Sequence, residues 1–330
     1  MHCYPEKIRI GSLFVTVAAA LLAAVLRTVA MLTAYEPESG YFALDCLPLK
    51  LADGLSVLFV AGCLLLLPWL AGRLSLSAER GKLLPLTAAG LTLCCLFFGA
   101  KLLSGPSAAP TPFSDVTGLL SGAWVTGKVA AVFCLLGAVY FACLLLSRRA
   151  VCPVRALGGL AMVLFGLFYT LYLYYVPYLP LGSSLKSLHM AVFISVFLFF
   201  LYESRLALGR NGWAMHHVFG IVAAFLCLST ALPELVFLLV RGQSAMEDYA
   251  YALLLEALFL FIFARLCTLA PGVGAPHTTQ PLPDEPPASD SEPLSDPEPD
   301  TDESPAADAE PCPDGPAVTD LAAEAEDPAE

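Results

Sequence analysis

Eight stretches of about 20 predominantly apolar residues follow one another along the first 270 residues of this chain, and no other feature constrains its fold as strongly. A hydrocarbon layer about 30 Å thick is crossed by about 20 helical residues. The stretches run approximately Ile10 to Leu32, Leu51 to Leu70, Leu83 to Leu103, Leu120 to Leu146, Val154 to Val176, Leu185 to Tyr202, Trp213 to Val240 and Tyr249 to Leu269, the sixth being the shortest. In lipid, every backbone N–H and C=O has to be satisfied within the spanning structure, so these stretches fold as helices; the two-residue alternation of a membrane barrel is missing. The expected fold class is all-α, a polytopic membrane helix bundle of about eight transmembrane helices. Lys7, Arg9 and the alanines Ala18 to Ala24 would also suit a cleaved secretory signal, but the run is too long and is interrupted by Arg27, which favours an uncleaved first helix.

Charge divides the chain in two. Only 14% of its residues are charged, against about 25% in a soluble domain, yet the formal net charge is -12. Residues 271–330 hold 17 acids and no Lys or Arg, so residues 1–270 keep 12 acids and 17 bases. A body of +5 is thus joined to a tail of -17, which excludes an ordinary soluble enzyme and argues against nucleic acid as a partner. The expected organisation is a transmembrane domain, 1–270, and a disordered, Pro-rich acidic cytoplasmic tail, 271–330. Fourteen of the 26 prolines lie beyond Leu269, and such a segment has little apolar surface to bury. It reads either as a solubilising extension or as the binding segment for a basic cytoplasmic partner, with Thr319 to Glu324 suited to cap a short helix.

Basic residues also set the orientation. With a cytoplasmic N-terminus, the inner side carries Lys7, Arg9, Arg73, Arg80, Lys82, Arg148, Arg149, Arg155, Arg205, Arg210 and Arg265. The outer side carries Lys50, Lys101, Lys186 and Arg241. That bias places the chain in a plasma-type cell membrane of the bacterial kind, with both termini cytoplasmic. Of the 11 cysteines, seven fall within spans and no C-x-x-C pair exists, so a disulfide framework, a metal site and a thioredoxin motif are not expected.

Ionisable groups inside the spans are the candidate site residues. A charge at the centre of a membrane helix costs about 2.5–3.5 kcal/mol on insertion scales, so each one needs a reason. Arg27, Asp53, Lys128, Glu234 and Glu256 stand out, and the orientation places all five in the outer half of the membrane. Steps of three and four carry Arg27 on a small-residue stripe (Thr16, Ala20, Ala23, Ala30, Ala34) and Glu234 on another (His216, Gly220, Ala223, Cys227, Thr230). Lys128 follows Ser121 and Trp124 and precedes Ala131, Leu135, Ala138 and Ala142. Small stripes let membrane helices approach closely, so these three charges are expected to face the bundle interior. Glu256 is less clearly placed, because its stripe runs through Tyr249, Ala252, Phe259 and Phe263, and Asp53 also suits a helix cap. Pro233 is expected to kink the seventh helix beside Glu234. Nine of the 12 tyrosines fall in the outer half or outer loops, as an aromatic belt or as pocket walls.

His189, His216 and His217 sit at helix starts and read as solvated interface residues near the inner face, too few for haem ligation. No H-E-x-x-H, G-x-S-x-G or Walker loop occurs and no internal repeat is evident, so no cofactor is expected and an enzyme is disfavoured. The segment Arg27 to Phe42, ending in Tyr35-Glu36-Pro37-Glu38-Ser39-Gly40-Tyr41-Phe42, loosely resembles a first outer loop of multi-pass bacterial membrane proteins, a likeness that implies no activity. Two functional readings follow. In the first, the chain is a transporter or solute-binding membrane component. Arg27 and Lys128 attract a small anionic or zwitterionic solute at an outward-facing polar site, while Glu234 and Glu256 hold counter-charge or exchange protons. In the second, the chain is a scaffold or regulatory subunit, with the same charges as structural ion pairs and the tail as the binding element.

Overall fold

The computed structural model describes residues 4–36, 41–43, 45–71, 76–78, 83–104, 117–146, 153–175, 183–210, 212–242 and 246–271. The expected acidic tail beyond Pro271, the bases Arg73, Arg80 and Lys82, and Arg148 with Arg149 lie outside them.

Eight helices carry the fold: α1 (Tyr4–Ala34), α2 (Leu47–Ala71), α3 (Leu83–Ser104), α4 (Thr117–Leu146), α5 (Pro153–Tyr175), α6 (Ser184–Ala207), α7 (Trp213–Arg241) and α8 (Met246–Cys267). All eight are long and apolar enough to cross a membrane, as the sequence expectation required. The protein is a multi-pass membrane helix bundle. Large apolar side chains such as Phe14, Val57, Leu58, Leu65, Leu86 and Leu157 point outward, which suits hydrocarbon and would be costly in water. Two short strand pairs mark opposite ends of the bundle. At one end β1 (Tyr35–Glu36) pairs antiparallel with β2 (Tyr41–Phe42) directly after α1. At the other, β3 (Leu76–Ala78), after α2, pairs antiparallel with β4 (Leu269–Pro271), after α8.

Packing follows a closed circuit. Each of α3 to α8 packs on the next, and α8 returns to α3; α1 and α2 pack on each other and on the outer side of α7. The middle of the six-helix circuit is filled by aromatic rings. Phe98, Phe141, Phe165, Tyr169, Phe193, Phe200 and Phe261 are buried, with Tyr169 and Phe193 centroids 4.4 Å apart and Phe141 and Phe261 5.0 Å apart. Edge-on and offset rings fill space densely. The circuit is therefore a packed core and not an aqueous pore. Helix α7 is the most enclosed, buried from His216 to Ala231 with Phe219 the one break. Its small residues permit this: a Cβ on Gly220 would lie 2.7 Å from a Leu266 methyl group of α8.

Two helix ends differ from the sequence expectation. The sixth span was expected to stop at Tyr202, but α6 continues to Ala207 and carries Glu203 into the bundle. Lys186, counted among the outer-side bases, is buried in the first turn of α6, where its Nζ donates to the Tyr174 carbonyl at 3.0 Å.

Candidate functional site

The polar groups of the bundle gather at two levels, one toward the β1–β2 hairpin and one toward the β3–β4 pair. At the hairpin end the organising residue is Arg27. The small stripe of α1 lies flush against its neighbours, with Thr16, Ala20, Ala23 and Ala30 buried, and it carries the guanidinium inside at 5% exposure. There Nη2 donates to Asp53 Oδ1 at 3.1 Å and to Ser56 Oγ at 3.0 Å, both on α2. Nη1 reaches the carbonyl and the hydroxyl of Ser229 on α7, each at 3.4 Å.

The Ser229 contact follows from the sequence of α7. Pro233 has no N–H, so the carbonyl four residues earlier, that of Ser229, loses its helical donor. An orphaned carbonyl in a membrane interior costs about 1–3 kcal/mol, and the Arg27 guanidinium is placed to satisfy it. A proline in one helix and an arginine in another are thus complementary, and the proline lies one residue before Glu234.

Glu234 pairs with His189 of α6 through a hydrogen bond between Oε1 and Nε2. The His189 ring packs 5.1 Å from Tyr251 of α8, and Glu234 is close enough for its charge to act on Arg27. The hairpin covers this end. Tyr35 packs on Phe42 at 5.0 Å and on Phe237 at 5.6 Å. Its phenol is pushed above its ordinary range, first by burial and then by the negative charges of Glu234 and Asp248. Beside the guanidinium lies a shallow, half-open recess with room for about one water molecule, lined by Arg27, Met31, Phe42, Leu49, Asp53, Ser184, Leu185 and Leu188. The Asp53 side chain is 40% exposed overall, and the buried Nε of Arg27 has no acceptor among the described residues.

Not all five expected residues meet. Arg27 and Asp53 form one ion pair, so Asp53 is a partner and not a mere cap, and Glu234 stands nearby. Lys128 does not face the interior with them. The buried face of α4 includes Ala123, Gly127, Ala130, Cys134 and Phe141 together with Ala131 and Ala138 of the expected stripe, while Lys128 and Leu135 are half-buried at its edge and Trp124 points outward. From that edge Lys128 Nζ donates to the Leu103 carbonyl, and to that of Leu102 at 3.3 Å, capping the C-terminal end of α3. A cation there satisfies open carbonyls and suits the helix dipole. Glu256 lies midway along α8, ten residues after Met246 and eleven before Cys267. Its Oε2 is buried without a hydrogen-bond partner among the described residues.

The second level went unread in the sequence. Glu203 of α6, His216 of α7 and Arg265 of α8 form a buried triad in which Arg265 Nε lies 3.0 and 3.1 Å from the two Glu203 oxygens. His216 Nε2 is 2.7 Å from Glu203 Oε2, and Arg265 Nη2 is 3.0 Å from Oε1. All three side chains are at most 8% exposed. The triad ties α6, α7 and α8 together and leaves no face open to a ligand. The expectation of solvated histidines at the inner face is thus overturned. His189, His216 and His217 are all buried, and His189 lies at the opposite end from the other two, because α6 and α7 run antiparallel. Arg265, counted as a cytoplasmic marker, is a buried ion-pair partner.

Among the described residues no three His, Cys, Asp or Glu side chains converge as metal ligands. Comparison with known proteins adds no identity: no protein-family model, no curated protein and no solved structure matches the chain.

Proposed function

We propose that this multi-pass protein is a solute-binding or transporting component of a cytoplasmic membrane, and that the recess beside Arg27 and Asp53 takes a small zwitterionic or anionic solute. The observation that carries the reading is a guanidinium and a carboxylate 3.1 Å apart at the wall of a half-open recess, in a layer where charge is otherwise excluded. A solute carboxylate would take up the guanidinium, including its unpartnered Nε, and a solute ammonium would take the exposed edge of Asp53. The Glu234–His189 pair behind them supplies counter-charge. The positive-inside bias supports cytoplasmic termini and a recess facing outward, with the acidic tail of 271–330 available to a basic cytoplasmic partner.

The scaffold reading has its own support. Arg27 already holds three partners, and the Glu203 triad and the Lys128 cap tie helices together. A panel of amino acids and small carboxylates, tested on the purified protein by thermal unfolding, separates the two. Binding to the folded state alone at 100 times Kd stabilises by about 2.7 kcal/mol. A solute that raises the Tm of the wild type but not of Arg27→Gln supports the recess. A panel without any shift leaves the scaffold.

A further inference from the structure

Glu256 is used by neither the ion pairs nor the recess, and its surroundings differ from those of every other acid in the bundle. It stands midway along α8, about 15 Å from either helix end at 1.5 Å per residue. In a helix of that length, this is the middle of the hydrocarbon layer. Its neighbours Leu253 and Leu260 are exposed toward lipid, so the carboxyl sits at the edge of the packed face and not within the aromatic core.

The level of α7 opposite it can be read from two contacts. Gly220 meets Leu266, and the Leu238 carbonyl accepts from Tyr249 Oη, so α7 and α8 run antiparallel. Ten residues on from the first contact along each helix, Thr230 comes level with Glu256. Thr230 is 2% exposed, and its hydroxyl has no hydrogen-bond partner among the described residues. A buried carboxyl oxygen and a buried hydroxyl, both unpartnered, therefore share one level of one interface.

The charged and titratable groups around Glu256 do not neutralise it. Helix α7 brings Cys227, close enough to interact electrostatically with it, while Glu234 of that helix is committed to His189. Helix α3 contributes Cys94 and Cys95, and its one base, Lys101, lies in the last turn. Arg27, across α7, is held by Asp53, Ser56 and Ser229. No salt-bridge partner of Glu256 exists among the described residues. With no third ligand side chain converging among the described residues, the donor set suits a proton rather than a metal ion.

We infer that Glu256 is a proton-binding site at mid-membrane depth, which takes up and releases a proton at the α7–α8 interface. This site is separate from the solute recess and stands or falls without it.

Dicyclohexylcarbodiimide, an apolar reagent, tests the inference on the full-length protein in lipid vesicles. The carboxyl O–H adds across one C=N bond of the reagent, the proton going to nitrogen and the oxygen to carbon. The O-acylisourea so formed rearranges to a stable N-acylurea, with nothing lost. Peptide mapping is expected to find the adduct on Glu256, with labelling that falls about tenfold per pH unit once the acid ionises. The adduct is expected to be absent at this position in Glu256→Gln and retained in Glu256→Asp. Folded wild-type protein that takes no label at Glu256 overturns the inference, as does labelling indifferent to pH or obtained only with a water-soluble carbodiimide. Because the wild type alone yields these readouts, a variant that fails to fold does not remove the test.

Discussion

If Pro233 and Arg27 are complementary through the Ser229 carbonyl, the two residues must be energetically coupled although they lie in different helices. Arg27→Met removes the guanidinium while keeping much of its length. Asp53, 40% exposed, can be resolvated, and Ser56 keeps its bond to the Ala52 carbonyl at 2.8 Å. The Ser229 carbonyl has no such recourse. Its orphaning and the lost bonds together make the variant unstable by about 2–4 kcal/mol. Pro233→Ala restores an N–H four residues along, worth about 1 kcal/mol as a net hydrogen bond. The general gain of replacing a helical proline is common to both backgrounds and cancels in a double-mutant cycle. Pro233→Ala should therefore stabilise the Arg27→Met protein by about 1 kcal/mol more than it stabilises the wild type. Unfolding in mixed micelles, followed by the fluorescence of Trp213 beside His216 at 6.2 Å, measures both differences. Equal effects of Pro233→Ala in the two backgrounds, within about 0.5 kcal/mol, would refute the reasoning.

Three further outcomes are expected. Glu203→Gln leaves Arg265 with an uncompensated charge in a buried site and should destabilise the fold by about 3–5 kcal/mol, measured by the same unfolding assay, whereas a loss under 1 kcal/mol would show that the triad is not closed. Tyr35 should form phenolate only above the ordinary tyrosine value of about 10, and Glu234→Gln, by removing one negative charge, should bring that transition part of the way back in an ultraviolet pH titration. Cys46, at the hairpin end beside α2, should react with a membrane-impermeant maleimide added to intact cells; labelling only after the membrane is opened would reverse the proposed orientation.

The eight spans were legible because length and apolarity suffice to mark a membrane helix. Facing was legible only where residue size alternates. The stripes through Arg27 and Glu234 are runs of small residues on helices whose other faces are large, and both are buried but for their last residue, Ala34 and Glu234. On α4 the lipid side and the core side are equally apolar, so the pattern through Lys128 caught the buried Ala131 and Ala138 but also took in the exposed Trp124 and the half-buried Lys128. Pairing between helices carries no local signal at all, which is why Asp53 read as a cap and His189 as an interface residue. Glu203 escaped because hydropathy ends a span at the first acid, whereas a helix continues if a partner such as Arg265 neutralises that acid. One signal was present and unused: a proline inside a membrane helix announces a free carbonyl four residues earlier, here Ser229.

The claim that a solute binds at Arg27 and not at Lys128 is tested most directly by titrating one active compound from the amino-acid and carboxylate panel into wild type, Arg27→Gln and Lys128→Met by calorimetry. The account predicts at least a roughly tenfold loss of affinity, about 1.4 kcal/mol, for Arg27→Gln, and a Kd unchanged within about twofold for Lys128→Met. Affinity lost in Lys128→Met and retained in Arg27→Gln would contradict it.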